Sequence, residues 1–230
     1  MRHDTGYNGS VILLVDDDDN APNMRGVYTA TLDALVGPAG YDVWDTANSD
    51  TEPITDDLSA SLVVIWFTGD EFGGFAGPGP AAEAALGAWL DAGGCLFISS
   101  QDYHFDRGLT PFMDAYLGIT SVTNDNGNST AVTGLGPVFG GLGPYALAYP
   151  FADYSDSIVV DAEADLAIEG NDGNDTAVSK AAGNYKATYW AFPWEAIMDP
   201  AGRLATMQAF LDWCGTRPVY LPAIHHAPAD

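Results

Sequence analysis

Two short apolar runs, each ending abruptly in small and acidic residues, constrain this chain more than any other feature. The first is Leu62-Val63-Val64-Ile65-Trp66-Phe67-Thr68-Gly69-Asp70, and the second is Cys95-Leu96-Phe97-Ile98-Ser99-Ser100-Gln101-Asp102. Neither alternates polar with apolar residues, so each reads as a strand buried on both faces. Between them, Pro80 to Ala92 predicts a helix closed by Gly93-Gly94, with Ala84, Leu86, Trp89 and Leu90 facing inward. Strand, helix, strand is the βαβ unit of a parallel sheet, whose ligand sites lie outside the carboxyl ends of the strands. Here those ends carry Asp70, Glu71, Ser100, Gln101 and Asp102.

The same grammar continues on either side. Residues 1–9 read as a lead-in, and Val11 to Val15 as a first buried strand ending in Asp16-Asp17-Asp18-Asp19. Val27 to Val36 predicts a helix stopped by Gly37-Pro38; Tyr41 to Asp45 is a second strand, and Thr55 to Ala60 a helical turn. The Gly/Pro-rich segment from Glu71 to Pro80 is either a lid or a plain connector. Pro111 to Leu117 suits a short amphipathic helix. From Ile119 to Tyr185 short apolar bits alternate with Asn/Asp/Gly turns, the mark of antiparallel strands. Lys186 to Phe192 is a last strand, and Gly202 to Trp213 a last helix with Leu204, Met207, Phe210 and Leu211 inward. The expected architecture is one α/β domain over residues 1–222, a three-layer sandwich with a mainly parallel sheet. A small β-rich insertion or subdomain occupies 119–185, and 223–230 is a tail. Tyr220 and Leu221 dock the extended end, and His225-His226 read as tail.

Charge narrows the partners. The 32 acidic residues outweigh 7 basic ones, a formal net of −25, which repels nucleic acid and anionic membranes. With 47% hydrophobic residues the chain is nonetheless globular. No run reaches the roughly 18 apolar residues of a membrane span. The first residues lack the apolar core of a signal peptide, so the chain is either cytosolic as written or a piece of a longer secreted protein. Its richness in Gly, Tyr, Trp, Asn and Asp, with few lysines, favours the second. Cys95 and Cys214 have no Cys-x-x-Cys spacing, which excludes the usual zinc and redox motifs. They are either a disulfide tying the last helix to the sheet or two buried thiols.

The order of strands and helices, with a tight turn after the fourth strand, resembles the class I glutamine amidotransferase-like superfamily. That resemblance implies a flavodoxin-like fold and a nucleophile delivered just after the strand that follows the Gly-ended helix, where this chain has Ser100. The family's Phe-His-Pro-Glu motif has an echo in Phe192-Pro193-Trp194-Glu195, with Pro193 in place of the histidine and Glu195 matching the glutamate. An alcohol for a thiolate and a proline for the base imply a degenerate member without amidotransferase chemistry. The phrases Leu13-Leu14-Val15-Asp16-Asp17-Asp18, Val64 to Asp70, Leu96 to Asp102, Tyr116-Leu117-Gly118 and Val219-Tyr220-Leu221-Pro222 are similar to uncharacterised domains of secreted multi-domain bacterial proteins. This implies an extracellular or cell-surface location. The partners it implies are neighbouring domains of a longer exported chain, or an extracellular glycan or protein.

The candidate site is therefore the strand-end crevice, with Asp16, Asp17, Asp70, Glu71, Ser100, Gln101, Asp102 and Glu195 as ligand-binding residues. Crowded carboxylates at Asp16, Asp17 and Asp102 would be relieved by a hard cation held by oxygens, for which calcium is the candidate. Hydrolysis would use Ser100 as nucleophile, His104 as base and Asp102 to orient it. A pair such as Asp70 with Asp102 or Glu195 would serve as acid and base on a glycoside, with nearby aromatic residues as sugar platforms. The loops Asn124 to Asn128 and Glu169 to Asp175 resemble fragments of calcium loops without the terminal Glu, and turn chemistry explains them equally.

Overall fold

A computed structural model describes residues 11–47 and 51–216. The lead-in at 1–9, the docking of Tyr220 and Leu221 and the His225-His226 pair lie outside the described residues. In chain order, β1 (Ile12–Asp16), α1 (Arg25–Val36), β2 (Tyr41–Asp45), α2 (Thr55–Leu58) and β3 (Val63–Phe67) come first. Next are α3 (Pro80–Asp91), β4 (Cys95–Ser99), α4 (Tyr103–Arg107) and a π-type turn at Met113–Leu117. Then follow β5 (Ile119–Thr123), β6 (Ala131–Gly134), α5 (Gly136–Phe139), β7 (Tyr145–Ala146), β8 (Ser157–Val160), β9 (Ala164–Gly170) and β10 (Asp175–Ala182). The chain closes with β11 (Tyr185–Trp190), a 3₁₀ turn at Trp194–Ala196 and α6 (Pro200–Cys214).

The buried runs pair as their composition demands. Leu14 of β1 sits beside Val43 of β2 and Ile65 of β3, and Ile65 beside Phe97 of β4, all in parallel register. Strand β11 adds in parallel on the far side of β4, with Tyr189 opposite Ile98. The nine-stranded sheet runs β2-β1-β3-β4-β11-β10-β9-β6-β7. Beyond β11 the pairing turns antiparallel. The β-rich stretch thus splits: β6, β7, β9 and β10 extend the main sheet, while β5 and β8 form a two-stranded sheet of their own. The result is a mixed α/β architecture around one large sheet.

Because side chains alternate along a strand, the central strands feed two cores. Ile12, Leu14, Ile65, Phe67 and Phe97 pack with Tyr28, Leu32 and Leu35 of α1 and Met207, Phe210 and Leu211 of α6. Leu13, Val15, Val64, Trp66, Leu96 and Ile98 pack with Ala82, Ala85, Leu86, Trp89 and Leu90 of α3, and with Met113 and Leu117. Two inward assignments fail. Ala84 is exposed, because the buried stripe of α3 runs through positions 82, 85, 86, 89 and 90 and leaves 84 on the opposite side. Leu204 is partly exposed; it lines a shallow groove between α1 and α6, while Gly202 and Thr206 face the core.

Cys95 and Cys214 form a disulfide, with their Cα atoms 5.7 Å apart. It staples the end of α6 to the start of β4, resolving the choice between a bridge and two thiols. The Gly/Pro-rich segment after β3 is a pinned connector. The Asp106 carboxylate accepts the amide N–H groups of Gly73, Phe75 and Ala76, and the Arg107 guanidinium donates to the carbonyls of Gly74, Phe75 and Gly77. Gly77 has φ +75°, and a Cβ there would meet the Tyr103 ring at 2.6 Å, so this close crossing admits only glycine.

The two Asn/Asp/Gly loops are knitted to each other. Asn126 Nδ2 donates to Ser157 Oγ and Asn174 Oδ1, and Asn174 Nδ2 returns a bond to the carbonyl of Asn126. Against the pull of burial, hydrogen bonds from the Asn128 amide, Ser129 and Asn174 hold the Asp172 carboxylate down at about 2.

Candidate functional site

Three strand ends converge, as the βαβ reading expects. From β1 the chain continues into Asp17 and Asp18, from β3 into Thr68, Gly69, Asp70 and Glu71, and from β4 into Ser100, Gln101 and Asp102. Gly69, at φ +55°, lets the β3 loop press against Asp18, where a Cβ would lie 2.7 Å from that residue's own Cβ. This contact divides the crevice into two regions with different chemistry.

The region around β1 is a hydrogen-bonded knot of mostly buried carboxylates. Asp16 receives the Arg25 Nε–H, and the same guanidinium reaches Asp45. Asp17 accepts the Trp66 indole N–H at 2.9 Å, on the opposite side of the strand. Asp18 accepts the amides of Asn20 and Met24 and so tethers the approach to α1. Glu195 lies on the 3₁₀ turn after β11, and its Oε2 accepts the Tyr28 hydroxyl at 2.6 Å. Tyr28 in turn stacks on Phe67 with ring centroids 4.0 Å apart. Burial pushes the carboxyls of Asp16 and Glu195 up to about 7, opposed in Asp16 by Arg25 and in Glu195 by the Tyr28 hydrogen bond. Asp17 is raised too, by burial and then by the neighbouring Glu71. Asp16 also meets Asp18, which raises it further. Among the described residues no three His, Cys, Asp or Glu side chains are gathered so as to hold a metal ion.

At the matched nucleophile position, Ser100 is 1% exposed. Its Oγ pairs with Thr68 Oγ1 at 2.7 Å and accepts the Tyr103 backbone N–H at 3.0 Å, while its own carbonyl accepts the Tyr189 hydroxyl at 3.0 Å. His104 is turned elsewhere, its Nδ1 2.6 Å from Asn124 Oδ1. No hydrogen bond joins Ser100 to His104, although four residues separate them.

The β3–β4 side is open. A cavity of about 390 Å³ is lined by Asp70, Phe72, Asp102, Phe105, Asp125, Ala152 and Tyr154. Three carboxylates therefore meet three aromatic rings in a volume suited to a small ligand. Phe72, Phe105 and Tyr154 are all exposed, whereas Asp102 is only 5% exposed and its Oδ2 has no hydrogen-bond partner. Burial pushes the Asp102 carboxyl up to about 7, opposed by a hydrogen bond from the Gln101 side chain and reinforced by Asp106, Asp125 and Asp70. Asp70 is raised by burial alone. Behind them Asp156 is fully buried, with Oδ1 accepting the Asp125 amide and Oδ2 unpartnered. Burial, with Asp102 and Asp125 nearby, lifts its carboxyl to about 8.

Of the residues expected in the crevice, Asp70 and Asp102 share this cavity, with Gln101 directly behind it. Asp16, Asp17, Glu71, Ser100 and Glu195 do not line it. Sequence reasoning singles out none of Phe105, Ala152, Tyr154 and Asp156, and leaves the loop of Asp125 open between a calcium-loop fragment and a turn. Phe105 carried the one available signal, an aromatic residue two positions past Tyr103 on the five-residue helix that follows the β4 turn. Tyr154 and Asp156 come from a loop some 50 residues downstream and had none.

No protein-family model matches the chain, and no curated protein does either. Solved structures do. The chain is similar to a cold-adapted β-galactosidase from Rahnella sp. R3, at 17% identity and a TM-score of 0.63, over 90% of this chain but 31% of that one. It thus spans under a third of that enzyme's length. A GMP synthase-like protein from Thermoplasma acidophilum matches at 15% identity and a TM-score of 0.56, over 89% of this chain and 94% of that one. A ThuA-like protein from Bacteroides uniformis matches at 11% identity and a TM-score of 0.59, over 93% and 94%. The last two have the glutamine amidotransferase-like fold, and at these identities the likeness is one of fold alone.

Proposed function

We propose that this chain is a degenerate amidotransferase-like module, with the three-layer arrangement of that fold, that binds a ligand rather than breaking a bond in one. One observation carries the reading: the Ser100 hydroxyl is buried between Thr68 and Tyr103, while a ligand-sized cavity opens one turn away at Asp102. A nucleophile needs a base to take its proton, and Ser100 has only a hydroxyl and an amide for company. The Cys95–Cys214 disulfide fits an oxidising compartment, and hence an exported parent chain, with neighbouring domains or an extracellular molecule as partner.

A second reading has its own support. Asp102, held near 7 beside Asp70 in an aromatic cavity, has the pKa of a general acid, and a β-galactosidase is among the fold's neighbours. The two readings separate in one assay. Purified protein is incubated with p-nitrophenyl esters, p-nitrophenyl glycosides and glutamine. The binding reading expects no turnover above heat-denatured protein. Turnover that disappears in Ser100→Ala or in Asp102→Asn would overturn it and make the cavity an active site.

A further inference from the structure

We propose that the cavity at the ends of β3 and β4 takes a small organic cation, an alkylguanidinium or alkylammonium, with its charge on Asp102 and its apolar body against Phe72, Phe105 and Tyr154. This rests on the binding reading and names the ligand class for the same site.

The first ground is an unpaired acceptor. Asp102 is only 5% exposed and lines the cavity; Gln101 hydrogen-bonds its carboxyl, while its Oδ2, occluded beneath the cavity wall, has no donor. A buried carboxylate oxygen without a partner is costly, and a ligand N–H is the group that relieves it. The second is charge. Asp70, Asp102 and Asp125 line the cavity, Asp106 lies behind it, and no basic side chain among the described residues lines it. The two basic groups on the adjoining helix are committed elsewhere, Arg107 to the carbonyls of Gly74, Phe75 and Gly77 and His104 to Asn124. A neutral sugar would leave these carboxylates uncompensated.

The third ground is shape. Phe72, Phe105 and Tyr154 are 65%, 57% and 46% exposed, so three apolar surfaces stand open around the carboxylates. A hard metal ion uses oxygen ligands alone and has no use for ring faces. A diffuse organic cation uses both, through hydrogen bonds to carboxylate and attraction to the aromatic quadrupole.

The test is a titration followed by NMR at low ionic strength, with butylguanidinium, its neutral isostere butylurea, methyl β-galactoside and calcium chloride as separate probes. Saturable shifts at Phe72, Phe105 and Tyr154 with butylguanidinium, and none with butylurea, are expected. Asp102→Asn should weaken that binding at least about tenfold, as expected of a charge-assisted bond. Phe105→Ala, at an exposed position that leaves the core intact, should weaken it about fivefold. Equal binding of butylurea, or an unchanged affinity in both variants, overturns the proposal. Saturation by the galactoside or by calcium with no response to butylguanidinium also overturns it, but leaves a binding cavity standing. Binding of the cation accompanied by turnover in the assay above would instead remove the non-catalytic reading and keep the ligand class.

Discussion

The side-chain amide of Gln101 brackets the segment that carries Tyr154. Its Nε2 donates to the Ala152 carbonyl at 3.2 Å, and its Oε1 accepts the Tyr154 amide at 3.1 Å. Gln101 is fully buried, so a residue of the β4 turn fixes one wall of the cavity from behind. It acts as a positioning residue, and the wall it sets is the one farthest away in sequence.

Replacing Gln101 with Leu keeps the volume and removes both bonds, stranding a carbonyl and an amide. The expected loss is about 2–4 kcal/mol in urea unfolding, at about 1–3 kcal/mol for each buried group left unsatisfied. Butylguanidinium affinity should fall with it, while Gln101→Glu, which keeps the acceptor for Tyr154 N–H, should retain part of the Tyr154 contact. A Gln101→Leu protein of unaltered stability and affinity would show that the 152–154 segment holds its place without the amide.

The connector after β3 should behave as pinned chain. Asp106 holds the amides of Gly73, Phe75 and Ala76 at 3.1, 3.0 and 3.0 Å. In Asp106→Ala these amides lose their acceptor, and hydrogen exchange at 73–76 should accelerate by at least about tenfold, one tenfold step for each 1.4 kcal/mol of protection lost. Exchange at Val64 and Leu96, deep in the sheet, should change far less. Exchange at 73–76 as fast in the parent protein as in the variant would mean that the segment opens regardless of Asp106.

The fold was largely legible because its strands announce themselves. An apolar run such as Val63 to Phe67 has no polar face to hide, so burial on both sides, and hence a parallel sheet with helical cover, follows from the residues. The destination of the β-rich stretch was not legible. The short apolar bits of β9 and β10 suit a separate sheet or an extension of the main one; the unbroken burial of residues 176–180 belongs to the second arrangement, fixed by Thr188 and Ala187 pairing back to Ser179 and Lys180. At the site, the strand-end positions Asp70 and Asp102 could be placed together from topology alone. The division of the crevice could not, since it turns on the Gly69–Asp18 contact and on Tyr28, a residue of α1 facing Glu195 from 167 positions away.

The disulfide between Cys95 and Cys214 spans a separation of 119 residues, so it restrains about half of the 230-residue unfolded chain. A loop of that length corresponds to about 4–5 kcal/mol of chain entropy, of which native relaxation commonly removes a part. Cys95→Ala/Cys214→Ala, or reduction of the parent protein, should lower stability by about 3–4 kcal/mol in urea. A non-reducing gel should show faster migration of the parent than of the variant after denaturation. Identical unfolding midpoints with and without reductant would mean that the bridge is absent from the protein in solution.

Stability should rise as the medium is acidified from pH 7.5 to 5.5, opposite to the usual trend for a carboxylate-rich protein. Asp102 and Glu195 are held near 7 and Asp156 near 8, in each case chiefly by burial, against about 4 in an unfolded chain. Between those values the folded state binds more protons than the unfolded state. Stability from these groups is therefore complete below about pH 4 and is lost as pH rises through about 7–8. Carboxylates held low, such as Asp172 at about 2, act only below that window. Three groups at roughly 2 kcal/mol each over the two pH units, and about 2–4 °C per kcal/mol at this chain length, give a rise in Tm of about 12–24 °C. Asp156→Asn keeps an oxygen to accept the Asp125 amide and cannot ionise. Its Tm should exceed that of the parent at pH 7.5 and approach it at pH 5.5, with about a third of the pH dependence gone. A Tm that falls on acidification across this range, or an Asp156→Asn protein with the full slope of the parent, would show that these carboxyls are ionised and solvated in the folded state.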